Sequence, residues 1–261
     1  MDAARVQELG GALFAALEGC HTRPPLTSDN PAISIDDAYR ISLDLLARRR
    51  QSGERLIGKK IGVTSRVVMD MLGVHQPDFG FLTDAMQVAE GSMVAIAGRL
   101  IQPRAEAEIA FRLKSDLTGP GVDEAAVIDA TASVHPCFEI VDSRIADWNI
   151  RIEDTVADNA SCGVFVLGDG AADPMDFDFE TCGAVVWKND EIISTGAGAA
   201  ALGSPVTAVA WLANTLGRYG ICLTAGDIIL SGSLVPLAPA LPGDRFRMKI
   251  AGLGSTTINF A

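Results

Sequence analysis

The stretch RAEAEIAF, residues 104–111, has the alternating pattern of a β-strand and carries two carboxylates on one face. Side chains in a strand point to opposite faces in turn, so Glu106 and Glu108 would lie side by side, with the odd-numbered apolar residues on the other face. Neighbouring carboxylates repel each other, and the repulsion costs more as water is excluded. The pair is therefore either solvated or shares a cation.

A third acid in a similar setting favours the shared cation. Glu139 lies in VHPCFEIVD, residues 134–142, between Phe138 and Ile140. Acids flanked by apolar residues in a strand are seldom fully buried unless they are paired or bind a metal. Three carboxylates form a set of hard oxygen ligands, which suits Mg²⁺ or Mn²⁺ better than zinc.

Composition and charge argue against several classes of partner. The chain has 261 residues, 48% of them hydrophobic, and a net charge of −12, which argues against nucleic acid or an anionic membrane. The N-terminal residues contain acids and lack the apolar core of a signal peptide, and no run approaches the ~18 apolar residues of a membrane span. Five scattered cysteines without a CxxC pair favour a reduced compartment. We therefore expect a soluble, cytoplasmic protein.

The order of the predicted elements indicates an α+β fold. Apolar residues at helical spacing predict one helix near the N-terminus, and Ser34 begins a second that stops near Gly53. From residue 56 onward, short branched stretches bounded by Gly, Asp or Pro predict strands, with a hairpin turn at 188–191. One helix, from Ser204 to Gly217, is expected among them. This divides the chain into a helical N-terminal region, 1–55, and a β-rich catalytic region, 56–261, within what we expect to be one continuous domain.

The stretch IGKKIGV, residues 57–63, places a lysine between two glycines. If it is a strand, Lys60 shares a face with Gly58 and Gly62, and glycine in a strand often marks the close approach of a ligand. A surface lysine on an edge strand is the alternative. Lys59 would lie on the opposite face, with a packed stem and an ammonium that reaches water.

Two further segments contain polar groups that could reach a site. Residues 73–84, GVHQPDFGFLTD, predict a turn-rich loop with His75, Asp78 and Asp84, and the local pattern favours an Asx turn at Asp78 over a functional role. Residues 154–165, DTVADNASCGVF, lead into a strand, so that Asn159 or Ser161 could face the site. Ser161 does not stand in a GxSxG motif and is not expected to be a nucleophile.

Taken together, these segments resemble the 2-hydroxypenta-2,4-dienoate (2-oxopent-4-enoate, vinylpyruvate) hydratases of the fumarylacetoacetate hydrolase superfamily. The resemblance is collinear over nearly the whole chain. The segments that carry it are IGKKIGVTS, LGVHQPDFGFLTDAM, LIQPRAEAEIAF, CFEIVDSRI, DTVADNASCG, TGAGAAALGSPV, VAWLANTL and AGDIILSGSLVPL. The related 4-oxalocrotonate decarboxylases share most of them, whereas LGSP and SGSLVPL are more similar to the hydratases.

The resemblance implies a mixed β-sandwich roll with outer helices, usually assembled as a homo-oligomer, and a divalent Mg²⁺ or Mn²⁺. The implied site consists of the metal ligands Glu106, Glu108 and Glu139, the catalytic residues Lys60 and Asp78, and a substrate-contacting serine, Ser161. The implied substrate is a small 2-hydroxydienoate, hydrated in the meta-cleavage degradation of aromatic compounds. The resemblance is also compatible with a complex between this protein and a pathway decarboxylase or aldolase.

The chemistry leaves the order of proton transfers open. Lys60 and Asp78 would move protons or position water, and a partly desolvated lysine beside a metal is expected to have a lowered pKa. Three alternatives remain at this point: a 4-oxalocrotonate decarboxylase, an acylpyruvate hydrolase with a His–Glu pair, and a non-catalytic metal-binding scaffold subunit.

Overall fold

The computed structural model describes the backbone of residues 1–261 and all side chains except those of residues 67, 71 and 72. Seven α-helices are found, and three of them precede the first strand; they are α1 Ala3–Glu18, α2 Leu26–Asp29, α3 Ile35–Gln51, α4 Arg66–Leu72, α5 Glu124–Ala130, α6 Ile152–Ala157 and α7 Pro205–Gly217. Thirteen strands are found, all of them after residue 55; they are β1 Leu56–Gly62, β2 Asp78–Thr83, β3 Gln87–Val88, β4 Met93–Val94, β5 Arg104–Leu113, β6 Thr131–Val141, β7 Cys162–Leu167, β8 Gly183–Lys188, β9 Glu191–Ala197, β10 Ile228–Leu230, β11 Ala238–Pro239, β12 Arg245–Ile250 and β13 Gly254–Phe260.

The strands form two mixed sheets. The larger has the order β2-β1-β10-β5-β6-β7-β3, with β11 paired to β5, and the smaller has the order β4-β13-β12-β8-β9. β1 runs parallel to β10 and β3 runs parallel to β7, while the long strands β5 and β6 are antiparallel. The sheets pack face to face, with Phe138 of β6 against Phe246 of β12 at a ring-centroid distance of 6.3 Å. The predicted α+β fold with a mixed sandwich is confirmed.

The N-terminal helices cover one end of the larger sheet. Tyr39 of α3 stacks on Phe79 of β2 with ring centroids 4.1 Å apart, and buried residues of α1 and α3 belong to the same apolar cluster as the sheets. Helix α3 begins at Ser34, whose hydroxyl accepts a hydrogen bond from the backbone N–H of Asp37, as expected for this cap. The division of the chain into regions 1–55 and 56–261 stays a prediction.

Several predictions about single elements were wrong. Residues 78–83 form a buried strand, β2, and not a loop, while three short helices, α4 to α6, lie between strands where only α7 was expected.

The segment Gly198–Gly217 is apolar and long enough to span a membrane, with a mean hydropathy of 1.2, although the sequence suggested no such run. It includes α7, and 56% of its most apolar stretch is buried inside the protein, as in a core helix.

Candidate metal centre and active site

Three carboxylates meet where β5 and β6 pair. Glu106 lies directly opposite Glu139 in the antiparallel register, and Glu108 is two residues further along the same face of β5. Ligand oxygens of the three side chains lie within 4.8 Å of one another. Strand alternation therefore places the glutamates together, as the sequence predicted.

Two of the three carboxylates are buried with few hydrogen-bond partners, and the third, Glu106, is half-buried. Glu108 and Glu139 are fully buried, and the only hydrogen bond recorded for either carboxylate in the described part of the chain runs from the Gly232 N–H to Glu108 Oε2, at 2.8 Å. Burial, reinforced by Glu139, raises the pKa of Glu106 to about 8 and raises the pKa of Glu108 well above its usual range. Buried carboxylate oxygens without donors at this spacing fit a divalent cation with oxygen ligands.

Lys60 points at this cluster from the neighbouring part of the sheet. Its side chain is 2% exposed, and Nζ lies 3.2 Å from Glu139 Oε1. Burial alone would lower the pKa of Lys60, but the carboxylates of Glu139, Asp78 and Glu106 raise it above its ordinary value. The lowered pKa predicted from the sequence applies to a lysine beside a bound metal and stays a prediction; without a metal, these three acids raise the pKa of Lys60.

Asp78 is the first residue of β2 and lies opposite Gly62 of β1. A methyl group at Gly62 would come within 2.3 Å of Asp78 Oδ1 and 3.3 Å of Lys60 Nζ, so the missing side chain makes room for both groups. Burial, partly offset by Lys60, raises the pKa of Asp78 to about 6. The space beside Gly62 is thus occupied by the carboxyl group of Asp78, next to Lys60, whereas the sequence suggested that a ligand approaches there.

Lys59 does not reach water, contrary to the expectation from the sequence. It lies on the opposite face of β1, as strand alternation requires, but its side chain is 2% exposed and forms a short ion pair with Asp227. Asp227 also accepts a hydrogen bond from the Thr224 N–H at 2.7 Å. The pair ties β1 to the turn before β10 within the apolar core.

Ser161 lies in a strained turn that precedes β7. Asn159, Ala160 and Ser161 all have positive φ angles, of 57°, 49° and 53°. Such angles are costly for residues other than glycine and persist only when the surroundings enforce them. The Ser161 hydroxyl shares a 3.2 Å hydrogen bond with the Thr155 hydroxyl and donates a longer one, 3.4 Å, to Asp158.

A buried ion pair enforces this turn. Arg144 Nε donates to Asp158 Oδ1 at 2.5 Å, and Arg144 Nη1 donates to the carbonyls of Asp142 and Cys162 at 2.7 and 3.0 Å. Both partners are nearly completely buried. No local sequence pattern predicts this pair, because the arginine and the aspartate are fourteen residues apart in segments that resemble ordinary loops.

Asn159 connects the same turn to the strand that carries Asp78. Its Oδ1 accepts a hydrogen bond from the Phe81 N–H at 2.8 Å, and its Nδ2 donates to the Phe81 carbonyl at 2.9 Å. Gly80 permits this approach, because a methyl group there would lie 2.5 Å from the Asn159 carbonyl oxygen. One turn therefore fixes the positions of both Ser161 and β2.

The remaining sequence candidates lie outside the cluster. Asp84 pairs with Arg55 at the surface, at 2.8 Å. His75 is exposed, on the connection between α4 and β2. Neither contributes a ligand atom to the carboxylate cluster.

The fold and the site together define the family of the chain. Residues 58–260 match the fumarylacetoacetate (FAA) hydrolase C-terminal family, so the chain belongs to that family. The family resemblance identified from the sequence is confirmed.

Curated relatives match most of the chain. A 2-hydroxypent-2,4-dienoate hydratase of Pseudomonas putida is 62% identical over 221 residues, which cover 85% of this chain and 100% of the relative. A 2-hydroxyhexa-2,4-dienoate hydratase of Comamonas testosteroni is 56% identical over 256 residues, which cover 98% of this chain and 97% of the relative.

Solved structures show the same architecture. The 4-oxalocrotonate decarboxylase from Pseudomonas putida G7, complexed with magnesium and adipate, superimposes with a TM-score of 0.97 at 36% identity, covering 100% of this chain and 99% of that chain. The fumarylpyruvate hydrolase from Pseudomonas aeruginosa, complexed with Mn²⁺ and pyruvate, has a TM-score of 0.64 at 12% identity, covering 78% of this chain and 89% of that chain, and shares the fold alone.

Proposed function

We propose that this protein is a metal-dependent hydro-lyase that adds water to 2-hydroxypenta-2,4-dienoate to give 4-hydroxy-2-oxopentanoate, within the meta-cleavage degradation of aromatic compounds. The observation that carries the proposal is the cluster of three carboxylates, two of them fully buried, with Lys60 and Asp78 beside it. It occurs in a chain that is 62% identical to a 2-hydroxypent-2,4-dienoate hydratase.

The metal ligands in this proposal are Glu106, Glu108 and Glu139, and the ion is Mg²⁺ or Mn²⁺. The donor set supports these ions, because it offers several buried carboxylate oxygens and is built from hard ligands. When bound, such an ion supplies a Lewis acid that polarises the 2-oxo group of the substrate and stabilises developing negative charge.

The protein's own residues would bind the substrate and move protons. Lys60 and Asp78 flank Gly62 from two adjacent strands, so one proton donor and one acceptor are available at the same place. Their burial excludes bulk water, which favours addition of a single positioned water over uncontrolled proton exchange. Ser161, held by the turn at 159–161, would contact a substrate oxygen.

The decarboxylase is the nearest alternative, because a 4-oxalocrotonate decarboxylase has the same architecture. Its substrate is a six-carbon diacid, which requires a place for a second carboxylate. The other two alternatives have less support. An acylpyruvate hydrolase would need a His–Glu pair, whereas His135 bonds to Ser133 and to the Gly170 carbonyl, at 2.8 and 2.9 Å. A scaffold subunit would not need two buried proton-transfer groups beside the metal ligands.

We also propose that the protein is a cytoplasmic homo-oligomer, which acts alone or in a complex with a pathway decarboxylase or aldolase.

The purified protein is mixed with 2-hydroxypenta-2,4-dienoate and Mg²⁺, the loss of dienol absorbance is followed, and the product is analysed on a chiral column. We expect one enantiomer of 4-hydroxy-2-oxopentanoate. Racemic product at the uncatalysed rate would refute the proposal.

A further inference from the structure

A cavity of about 410 Å³ lies between the N-terminal helices and β2. Ile35 and Tyr39 of α3 form one wall, and Ile152 and Val156 of α6 form another. Asp78 lines the cavity at the start of β2. Its volume is ample for a chain of a few carbon atoms, and these walls are mostly apolar.

The cavity reaches the proposed catalytic groups through Asp78. Both Asp78 Oδ1 and Lys60 Nζ approach the place where a side chain at Gly62 would begin, and Lys60 Nζ lies 3.2 Å from Glu139. A 2-oxo acid with its carboxylate at the glutamate cluster would therefore extend its carbon chain past Asp78 into this cavity. This step rests on the proposed function.

One acidic side chain, Glu153 of α6, stands in the cavity wall apart from Asp78. Its Oε2 is buried and accepts no hydrogen bond from any described residue, and the nearest cation, Arg151 Nε, is 3.8 Å away. The Arg151 side chain is 62% exposed and is not among the residues that line the cavity, whereas the Glu153 side chain is 17% exposed. No lysine or arginine lines the cavity among the described residues; its one basic side chain is that of His75, which is exposed.

We propose that Glu153 determines substrate specificity. Together with the apolar walls, it selects 2-oxo and 2-hydroxydienoic acids with an uncharged far end and rejects those with a second carboxylate there. A second carboxylate would lose its hydration without gaining a lysine or arginine partner, and it would also face the charge of Glu153. An alkyl end would bury only apolar surface against the walls, and this burial favours binding.

The test compares two six-carbon acids that differ only at C6. 2-Oxohexanoate ends in a methyl group, 2-oxoadipate ends in a carboxylate, and both have the same 2-oxo acid head. Their dissociation constants are measured by calorimetry with saturating Mg²⁺ for the wild-type protein, Glu153→Gln and Glu153→Lys. Glu191→Gln, in the exposed hairpin between β8 and β9, controls for the change in net charge.

We expect the wild-type protein to bind 2-oxohexanoate at least about tenfold more tightly than 2-oxoadipate. Glu153→Gln should narrow this ratio by about fivefold, Glu153→Lys should narrow it further, and Glu191→Gln should leave it unchanged. An unchanged ratio in both Glu153 variants, or tighter binding of 2-oxoadipate by the wild-type protein that Arg151→Gln abolishes, would overturn the inference. So would failure of both acids to bind.

Hydration of 2-hydroxypenta-2,4-dienoate by the wild-type protein is measured in parallel. If hydration occurs but the two acids are bound equally, the inference about Glu153 fails and the proposed function stands. If hydration does not occur, the proposed function fails whatever the binding ratio shows.

Discussion

Lys60 Nζ lies 3.2 Å from Glu139 Oε1, and this is the one ion pair within the carboxylate cluster among the described side chains. Glu106, Glu108 and Asp78 add three further acids around the same ammonium. One lysine cannot neutralise four carboxyl groups, three of them buried and that of Glu106 half-buried, so the cluster either keeps protons on some of them or receives another cation. These acids therefore destabilise the metal-free protein, and a bound divalent metal would offset that destabilisation.

Glu106→Gln should weaken metal binding and yet stabilise the metal-free protein. Glutamine keeps the volume but removes one of three mutually repelling carboxylates, so the free energy of unfolding after chelation should rise by roughly 1 kcal/mol at pH 7. Wild-type protein should gain about 2.7 kcal/mol from Mg²⁺ at a hundredfold excess over its Kd, and the variant should lose most of that gain. Urea unfolding with and without Mg²⁺ measures both quantities.

Glu191→Gln, at the exposed hairpin, is the control for the loss of one negative charge and should respond to Mg²⁺ like the wild-type protein. If Mg²⁺ stabilised Glu106→Gln as strongly as the wild-type protein, Glu106 would not be a metal ligand.

Comparing Lys60→Met with Lys59→Met should show that Lys60 acts in catalysis and that its neighbour Lys59 acts in stability. Lys60→Met should lower kcat for the dienoate at least a hundredfold, roughly the lower end for losing a proton-transfer group. Lys59→Met leaves Asp227 buried without its cation and should cost about 3 kcal/mol of stability, with kcat of the folded protein changed less than about tenfold. Steady-state kinetics at saturating Mg²⁺ and urea unfolding test both.

A second substitution checks the explanation for Lys59. Lys59→Met combined with Asp227→Asn removes both charges, and most of the lost stability should return. Equal losses of kcat in the two single variants would contradict the assignment of the two lysines to opposite faces with different roles.

Asn159→Asp should lower kcat at least about tenfold while leaving Mg²⁺ affinity intact. Aspartate can still accept the Phe81 N–H, but it cannot donate to the Phe81 carbonyl and places a negative charge beside it. Losing this hydrogen bond would shift Phe81 and the turn, and with them Asp78 on β2 and Ser161. The three glutamates lie on β5 and β6 and would keep their positions. Kinetics and Mn²⁺ titration measure the two effects separately.

Asn214 provides a matched control far along the chain. It also joins backbone segments, accepting from the Gly121 and Val122 N–H groups at 2.7 and 2.9 Å and donating to the Val122 carbonyl at 2.8 Å. Asn214→Asp should lose comparable stability with kcat unchanged. Parallel losses of kcat in both asparagine variants would show that Asn159 acts only through general stability.

Local patterns in the sequence predicted the part of the site that depends on strand alternation. The pairing of Glu106 with Glu108 on one face of β5, and the separation of Lys59 from Lys60, follow from the two-residue period of a strand. The N-caps at Ser34 and Ser204 were recognisable for the same reason, because a cap involves only neighbouring residues.

Features that depend on distant residues could not be predicted in this way. The stretch 78–83 is buried on both faces and contains Asp and Gly, so it lacks the alternation that marks a half-buried strand. Lys59 was expected to reach water because its partner, Asp227, is 168 residues away. The cavity beside Asp78 is formed by α3, α6 and a connecting loop, and no local pattern contains all three.

The most direct test compares two reactions of the Mg²⁺-loaded protein: addition of water to 2-hydroxypenta-2,4-dienoate and release of CO₂ from 2-oxo-3-hexenedioate. We predict a much higher kcat/KM for hydration, formation of 4-hydroxy-2-oxopentanoate, loss of this activity on chelation, and its recovery with Mg²⁺ or Mn²⁺. Water addition that survives complete chelation, or a higher kcat/KM for CO₂ release, would contradict the assignment of this protein as a metal-dependent hydratase.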